Sequence, residues 1–270
     1  MENQLNIEME KGLEQNEIDK CLNKIKNKIF VFSGKGGVGK STVAVNMAAS
    51  LAKDNYRVGL LDIDIHGPSI PKLLNIEKHS ISTINGAMQP IQISENLKVI
   101  SIGFLLEDSS TAIIWRGPRK IGLIKQFLKD VNWGELDYLI VDSPPGTGDE
   151  PLTICQLIPN ANGAVIVTTP QDLAIIDVQK AVTFCNQLNI KVIGVIENMS
   201  GFMCPHCGNE IDIFKSGGGA KMAQNMSVPF LGKIPINADI VTSCDEGSPV
   251  VYKSDSMLAK TFKNIVDSIM

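Results

Sequence analysis

The chain has 270 residues, 44% of them hydrophobic, with a formal net charge of −4 and an isoelectric point of about 5.5. This length and hydrophobic content are sufficient for one large domain with a substantial core. The acidic balance disfavours a nucleic acid partner, and no apolar stretch approaches the ~20 residues of a membrane span. Because the first residues are acidic and unlike a secretory signal, we expect a cytoplasmic protein with no membrane and no nucleic acid partner.

Six cysteines are spaced irregularly along the chain. In a chain of this length without a secretory signal, such cysteines are typical of free thiols or metal ligands rather than of a disulfide framework. Four of them are isolated in the sequence: Cys21, Cys155, Cys185 and Cys244. Cys155 and Cys185 fall in apolar, helix-like segments, which predicts that they are packing residues.

The first 27 residues are mostly polar and charged, although apolar residues such as Ile18 and Leu22 recur at helical spacing. This pattern predicts a flexible polar leader that ends in a short helix, over residues 1–27. A single α/β domain is expected to follow over 28–270.

Residues 28–46 read KIFVFSGKGGVGKSTVAVN, which predicts a strand, a glycine-rich turn and a helix. In this context Gly34, Gly39, Lys40 and Ser41 match G-x-x-x-x-G-K-[ST], the phosphate-binding loop. Loop N–H groups and the helix N-terminus would hold the phosphates of ATP, Lys40 would neutralise them, and Ser41 would bind Mg²⁺. A glycine turn that binds nothing is the weaker interpretation, because context and spacing agree. The residues expected to line the nucleotide here are Gly34, Lys35, Gly36, Gly37, Val38, Gly39, Lys40, Ser41 and Thr42.

Carboxylates follow two further apolar segments that are predicted to be strands. Asp62 and Asp64 come at the end of a strand over 57–61, and Asp142 follows a strand over 138–141. Ligands bind at the carboxyl ends of strands in such sheets, so Asp62 and Asp142 are candidate Mg²⁺ ligands, directly or through water. The alternative for the first pair is a polar strand end without function.

The remaining segments continue the alternation of strands and helices. Asn85 and Gly86 predict a hairpin turn, and the last helix has an apolar face that is expected to pack on the sheet rather than bind a membrane. Further strands are expected over 98–103, 164–168, 192–196 and 229–232, and helices over 42–51, 119–131, 172–188, near 220 and over 257–269. The fold class predicted is α/β, a mostly parallel sheet with helices on both faces.

Cys204 and Cys207 form the one C-x-x-C pair of the sequence, in a predicted metal loop over 198–212. Two thiolates are half of a tetrahedral metal site. Three interpretations stay open: a thioredoxin-like redox pair, a zinc site completed by His206 or a distant cysteine, and a site completed by a second copy of the chain. The third supplies four thiolates.

The loop GKGGVGK contains a second lysine, Lys35, that the general motif does not require. In this respect it resembles the deviant P-loop ATPases, which include the nitrogenase iron protein and the MinD/ParA ATPases. In that group the early lysine reaches across a homodimer to the nucleotide of the partner. The resemblance therefore implies a homodimer in which Lys35 acts in trans.

The motifs GKGGVGKST, DIDIHGPS, WRGP, VDSPPGTGDE, ENMSGF and CPHCG occur in an order that resembles the Mrp/ApbC family of iron–sulfur cluster carrier ATPases. The resemblance runs from about residue 28 to the end. It implies an ATPase whose catalytic residues are Lys35, Lys40 and Asp64, the last helping to activate the attacking water. Asn198, near the adenine, and Pro235 are assigned to the nucleotide.

The same resemblance implies that Cys204 and Cys207, with their symmetry mates, hold a [4Fe–4S] cluster that is delivered to apo iron–sulfur proteins. The chain departs from some members, which carry an extra N-terminal domain or a four-cysteine N-terminal motif, since its leader has only Cys21. The alternative function is a MinD/ParA-type positioning ATPase with structural zinc or free thiols at the cysteine pair. A weaker one is a reductase partner like the nitrogenase iron protein.

Overall fold

A mostly parallel sheet forms the centre of the computed structural model, which describes residues 2–65, 67–105, 117–253 and 256–270. Trp115 and Arg116 of the WRGP motif, and His66, lie outside the described residues. The strands are β1 (Ile25–Ser33), β2 (Val58–Asp62), β3 (Thr83–Ile84), β4 (Ala87–Met88), β5 (Ile91–Ser94), β6 (Leu97–Ser101), β7 (Leu136–Asp142), β8 (Gly163–Thr168), β9 (Val192–Met203), β10 (Glu210–Ile211) and β11 (Phe230–Ile236).

The strand order is β10-β9-β8-β1-β7-β2-β6-β5, and β11 also pairs with β9. The pairs of β9 with β10 and of β5 with β6 are antiparallel, and the rest of this sheet is parallel. The predicted turn at Asn85 and Gly86 is confirmed: it joins β3 to β4, with φ of 51° and 81° at its two residues.

Helices cover both faces of the sheet, as the fold class requires. They are α1 (Glu2–Leu22), α2 (Lys40–Lys53), α3 (Ile70–Leu73), α4 (Gly117–Lys129), α5 (Asp149–Leu157), α6 (Asp172–Gln187), α7 (Gly218–Asn225), α8 (Ala238–Glu246) and α9 (Met257–Asp267). One apolar cluster joins the sheet to α1, α4, α5, α6 and α7, and the other joins it to α2, α3 and α9. None of the helices in the described residues is long and apolar enough to cross a membrane.

The central strand β1 shows why the sheet is buried on both sides. Phe30 and Phe32 point into the first cluster, whereas Ile29 and Val31 point into the second. Side chains alternate between the faces of a strand, so an uninterrupted apolar run fills two cores at once. Burying each such side chain contributes ~1.5–3 kcal/mol.

The N-terminal segment differs from the prediction of a flexible leader and a short helix. It forms one continuous helix, α1, and β1 begins at Ile25, before the predicted boundary at residue 28. Ile18 and Leu22 are fully buried against the first cluster, and Lys125 Nζ lies 2.6 Å from Glu14 Oε2. The helix is stabilised by these tertiary contacts, which a polar sequence does not reveal.

Strand register brings three chain segments together at the carboxyl edge of the sheet. Asp142 of β7 pairs with Val31 of β1 on one side and with Asp62 of β2 on the other. Val31 lies three residues before the glycine-rich loop. The loop and both predicted carboxylates therefore lie side by side, as expected for a ligand site in a parallel sheet.

Candidate nucleotide and metal sites

The glycine-rich loop connects β1 to α2 and is shaped by glycines at fixed positions. Gly37 and Gly39 have φ of 80° and 83°, the left-handed region that favours glycine. A Cβ on Gly39 would lie 2.2 Å from Asn198 Nδ2, and one on Gly34 would lie 2.3 Å from the Asp177 carbonyl oxygen. Gly34 is therefore required by its close approach to the Asp177 backbone, and Gly39 by its left-handed backbone conformation.

Lys40 and Ser41 at the start of α2 converge on Asp142. Lys40 Nζ lies 2.6 Å from Asp142 Oδ1 and 3.5 Å from Asp64 Oδ2, and Ser41 Oγ donates to Asp142 Oδ2 at 2.5 Å. Burial opposes the charge of Lys40, but the attraction of Asp142 and then Asp64 outweighs it and raises the pKa of Lys40. The lysine is thus a fixed cation at the base of the loop.

Three carboxyl groups lie around Lys40, more than one ammonium group can pair with. Asp62 and Asp142 are fully buried and Asp64 is 7% exposed. Burial, and next the charge of Asp142, raises the pKa of Asp62 to about 8, and burial raises the pKa of Asp142 in spite of Lys40. Three carboxyl groups facing one ammonium group favour a further cation.

Mg²⁺ fits this donor set, since it prefers hydroxyl and carboxylate oxygens. Ser41, Asp62 and Asp142, the three residues predicted to hold it, meet at one edge of the sheet. With nucleotide present, these residues would hold Mg²⁺, which supplies positive charge next to the phosphates. Their roles as ligands stay predictions.

Sequence reasoning missed Ser101, which lies opposite Asp62 in the pair of β2 and β6. Its hydroxyl donates to Asp62 Oδ2 at 2.8 Å, and the Asp64 N–H donates to Asp62 Oδ1 at 3.1 Å. The available signal was position: Ser101 lies in the second half of the strand predicted over 98–103, near the edge where the other polar groups lie.

The remaining residues predicted to contact nucleotide fall in different surroundings. Asn198 of β9 donates from Nδ2 to the Val38 carbonyl oxygen at 2.8 Å, so it touches the loop itself. Pro235 of β11 is half-buried, next to a shift in the register between β11 and β9. Lys35 is half-buried, and within the described part of the chain it has no ion pair or hydrogen bond. Its assignment to a partner subunit stays a prediction.

The cysteine pair occupies the tip of a β-hairpin, referred to below as the cysteine hairpin and formed by β9, residues 204–209 and β10. The predicted metal loop over 198–212 is too long, since residues 198–203 continue β9 and residues 210–211 form β10. Within the tip, the Gly208 N–H donates to the Cys204 carbonyl oxygen at 2.9 Å, and Gly208 has a φ of 72°. Thioredoxin-like redox pairs lie at the start of a helix, whereas this pair lies between two strands.

The two thiols of the pair are accessible and one of them is activated. Cys204 is half-buried and Cys207 is exposed. Backbone N–H groups of Cys207 and then His206 lower the pKa of Cys204, which favours the thiolate that binds metals. Among the described residues, no third His, Cys, Asp or Glu side chain joins Cys204 and Cys207 in a group that could hold a metal ion. The described part of one chain therefore supplies two candidate thiol ligands at the tip.

Comparison with known proteins identifies the family. A family model described as ParA, NUBPL iron-transfer P-loop NTPase, matches residues 24–270. The chain belongs to this family. The match covers the glycine-rich loop and almost the whole chain. It confirms the resemblance inferred from the sequence motifs.

Relatives in this family are close in sequence and length. The chain is 50% identical, over 94% of its length and 87% of the relative, to a protein of Methanocaldococcus jannaschii named iron-sulfur cluster carrier protein. A Methanococcus maripaludis protein of the same name is 48% identical, over 92% of this chain and 86% of the relative.

Solved structures confirm the fold of this chain. A nucleotide-binding protein from Archaeoglobus fulgidus, in complex with ADP and with cobalt found, has a TM-score of 0.79 and 42% identity over 89% of this chain and 94% of that chain. The cell division ATPase MinD of Pyrococcus furiosus has a TM-score of 0.64 and 23% identity over 90% and 98%. The likeness to MinD concerns the fold alone.

A second residue that sequence reasoning missed is Glu197, which precedes Asn198 in the ENMS motif. It is fully buried, and its carboxylate accepts hydrogen bonds from the Ser200 hydroxyl and from the N–H groups of Gly217 and Gly219. Glu197 thus holds the segment that returns from the cysteine hairpin. A glutamate at the end of a buried strand was the only sequence signal.

The isolated cysteines have packing roles in the part of the chain that the structure describes. Burial raises the pKa of Cys155 and of Cys185 to about 12, which keeps both thiols protonated. The Cys21 thiol donates to the Lys129 carbonyl oxygen at 2.9 Å, joining α1 to α4. The packing predicted for Cys155 and Cys185 is confirmed, since both contact the first apolar cluster.

Proposed function

We propose that this protein is a homodimeric, ATP-hydrolysing carrier that holds a [4Fe–4S] cluster between two subunits and transfers it to apo iron–sulfur proteins. The observation that carries the proposal is that one edge of the sheet holds both a phosphate-binding loop and a cysteine pair, which could supply two of the four thiolates of a cluster. The names of the relatives from the two methanogens support the same cargo.

The number of ligands supports the dimer. A [4Fe–4S] cluster takes four cysteine thiolates, and Cys204 and Cys207 supply two. A two-fold axis that passes between two cysteine hairpins supplies the other two from identical residues. The tip follows the end of β9, and the phosphate-binding loop follows the end of the parallel strand β1, so both lie at one edge of the sheet. A dimer interface formed at this edge can therefore bring both the loops and the cysteine pairs of two chains close to the two-fold axis.

Each residue at the nucleotide site has a role in hydrolysis under this proposal. Lys40 stabilises charge on the phosphates, and Asp64, at 3.5 Å from Lys40 Nζ, orients the attacking water. Lys35 adds a positive charge to the nucleotide of the partner. The flexible glycines that follow Asp142 allow the segment over 144–149 to respond to the γ-phosphate and so to alter cluster retention.

Anaerobic reconstitution with iron and sulfide, followed by iron analysis, tests the proposal. We expect about four iron atoms per two chains in the parent protein. The double variant Cys204→Ala plus Cys207→Ala should retain almost none, whereas a control with Cys21→Ala plus Cys155→Ala should retain the parent amount. Equal iron in the parent and the first variant would show that the cluster lies elsewhere.

A further inference from the structure

The strand β9 physically joins the nucleotide loop to the cysteine pair. Asn198 lies in this strand at the level of the loop, and Cys204 follows its last residue. At ~3.3 Å per residue in extended backbone, the six steps between them span at most about 20 Å. Two successive side chains at the inner end point to opposite faces: Glu197 holds the segment that returns from the hairpin, and Asn198 holds the loop.

Asn198 contacts the peptide unit that joins Val38 to Gly39 in the phosphate-binding loop. Its Nδ2 donates to the Val38 carbonyl oxygen at 2.8 Å, and Asn198 is 7% exposed. In a trans peptide, the Gly39 N–H points away from that carbonyl, and N–H groups of such a loop donate to phosphate. A hydrogen bond at one end of a peptide polarises and strengthens the bond at the other end. Phosphate binding therefore strengthens the hold of Asn198 on the loop.

Between Asn198 and Cys204 the strand is irregular. Asn198 pairs with Ile234 and Phe202 pairs with Ile236, so three residues of β9 face Pro235 alone. Two of these three, Met199 and Gly201, have φ of 57° and 75°. A non-glycine residue in the left-handed region inside a strand is a strained conformation that the surroundings must maintain.

The second strand of the cysteine hairpin, β10, packs against the same irregular segment of β9 through Glu210. A Cβ on Gly201 would lie 2.4 Å from Glu210 Oε1 of β10, and that oxygen lies 2.8 Å from Lys233 Nζ of β11. Glu210 thus crosses β9 directly above Gly201. A change of backbone conformation over 199–201 would displace β10 and the tip together.

We infer that Asn198 is a positioning residue through which phosphate binding at the loop changes the conformation of the cysteine hairpin, by way of the bulge over residues 199–201. The inference concerns the chain without metal, so it does not depend on the identity of the cargo. It assigns to β9 a coupling between two sites, which by thermodynamic linkage acts in both directions.

Thiol alkylation in the metal-free, full-length protein tests this coupling. The rate at which iodoacetamide modifies Cys204 and Cys207 is measured by mass spectrometry with and without saturating MgADP, with Cys21 as an internal reference. We expect MgADP to change the rate at the pair by at least about fivefold, the lower end of typical coupling between sites, and to leave Cys21 unchanged. An unchanged rate at the pair overturns the inference.

Two variants address the path. Asn198→Asp keeps the shape of the side chain but removes the donor to Val38, and Gly201→Ala distorts the bulge without touching the loop. With MgADP bound, both should reduce the effect on the pair to less than about twofold. Gly86→Ala, which introduces the same substitution at a φ of 81° in the β3–β4 turn, should keep the parent effect.

The variants also distinguish this inference from the proposed function. A full parent effect in nucleotide-bound Asn198→Asp overturns the role of Asn198, whatever the iron content. Conversely, a parent protein that binds no iron but shows the MgADP effect contradicts the carrier proposal and retains the coupling. Should Gly201→Ala fail to fold, Asn198→Asp still decides.

Discussion

The phosphate-binding loop and the cysteine hairpin share one edge of the sheet, but they differ in burial and in completeness. Lys40 is 6% exposed and lies between the carboxylates of Asp142 and Asp64, whereas Cys207 is exposed at the tip of a two-stranded hairpin. Buried charges must be paired, so a single chain has to complete the first site. An exposed thiol pair is solvated by water, so it can remain stable in a single chain without further metal ligands. Under the proposed function, nucleotide binding belongs to each chain and metal binding to the dimer.

Removal of Lys40 should produce the largest loss at the buried site. Lys40→Ala removes the cation that stabilises the phosphates, and loss of such a preorganised group costs ~10²–10³ in rate. We expect ATP hydrolysis to fall by at least about 100-fold, measured as phosphate release. The control is Lys26→Ala, which breaks an exposed pair with Asp137 and should leave hydrolysis unchanged. Residual hydrolysis near the parent rate would contradict the role of Lys40.

The second prediction compares thiols at the exposed tip with thiols in the core. Backbone N–H groups lower the pKa of Cys204, whereas burial raises that of Cys185 to about 12. At neutral pH the Cys204 thiolate is more populated, and this outweighs its lower intrinsic nucleophilicity. In the folded protein we expect alkylation of Cys204 to be at least about 30-fold faster. Comparable rates would show that the tip does not activate its cysteine.

Lys35, in the phosphate-binding loop, tests whether a second chain contributes to the nucleotide site. Under the proposed trans role, Lys35→Ala leaves nucleotide binding by its own chain within about threefold of the parent but lowers turnover by about tenfold, the size of a ~1.4 kcal/mol interaction. Equilibrium binding and phosphate release measure the two quantities. If binding falls as far as turnover, Lys35 acts within its own chain.

The smallest effects are expected for single polar contacts. Ser101→Ala removes a buried hydrogen bond to Asp62 and should lower the free energy of unfolding of the nucleotide-free protein by about 1.5 kcal/mol. Glu210→Gln removes an ion pair whose two side chains are about half exposed, and should cost at most about 0.5 kcal/mol. Urea denaturation of both variants provides the comparison. Equal losses would mean that the hairpin is held as firmly as the nucleotide site.

Sequence reasoning succeeded where local chemistry determines local structure. The strand–loop–helix context of Lys40, the turn at Asn85 and Gly86, and the apolar strands that lead to Asp62 and Asp142 all appear in the structure. In each case the signal is a glycine position or an apolar run that specifies the conformation without distant partners.

Sequence reasoning was less accurate where contacts between distant segments determine the local structure. The helix α1 has a polar first half, and its burial at Ile18 depends on an apolar cluster built by later segments. The sequence predicts that β9 ends at residue 196, because polar residues follow. In the structure the strand continues to Met203, with left-handed backbone at Met199 and Gly201. The contacts of Ser101 with Asp62 and of Glu197 with Gly217 arise from strand register and chain return, which composition does not encode.

Native mass spectrometry of the anaerobically reconstituted protein tests the central claim most directly. The account predicts a species with the mass of two chains plus one cluster of four iron and four sulfur atoms, absent from the variant with Cys204→Ala and Cys207→Ala. A single chain that carries the metal, or a metal-loaded dimer of that variant, would contradict it.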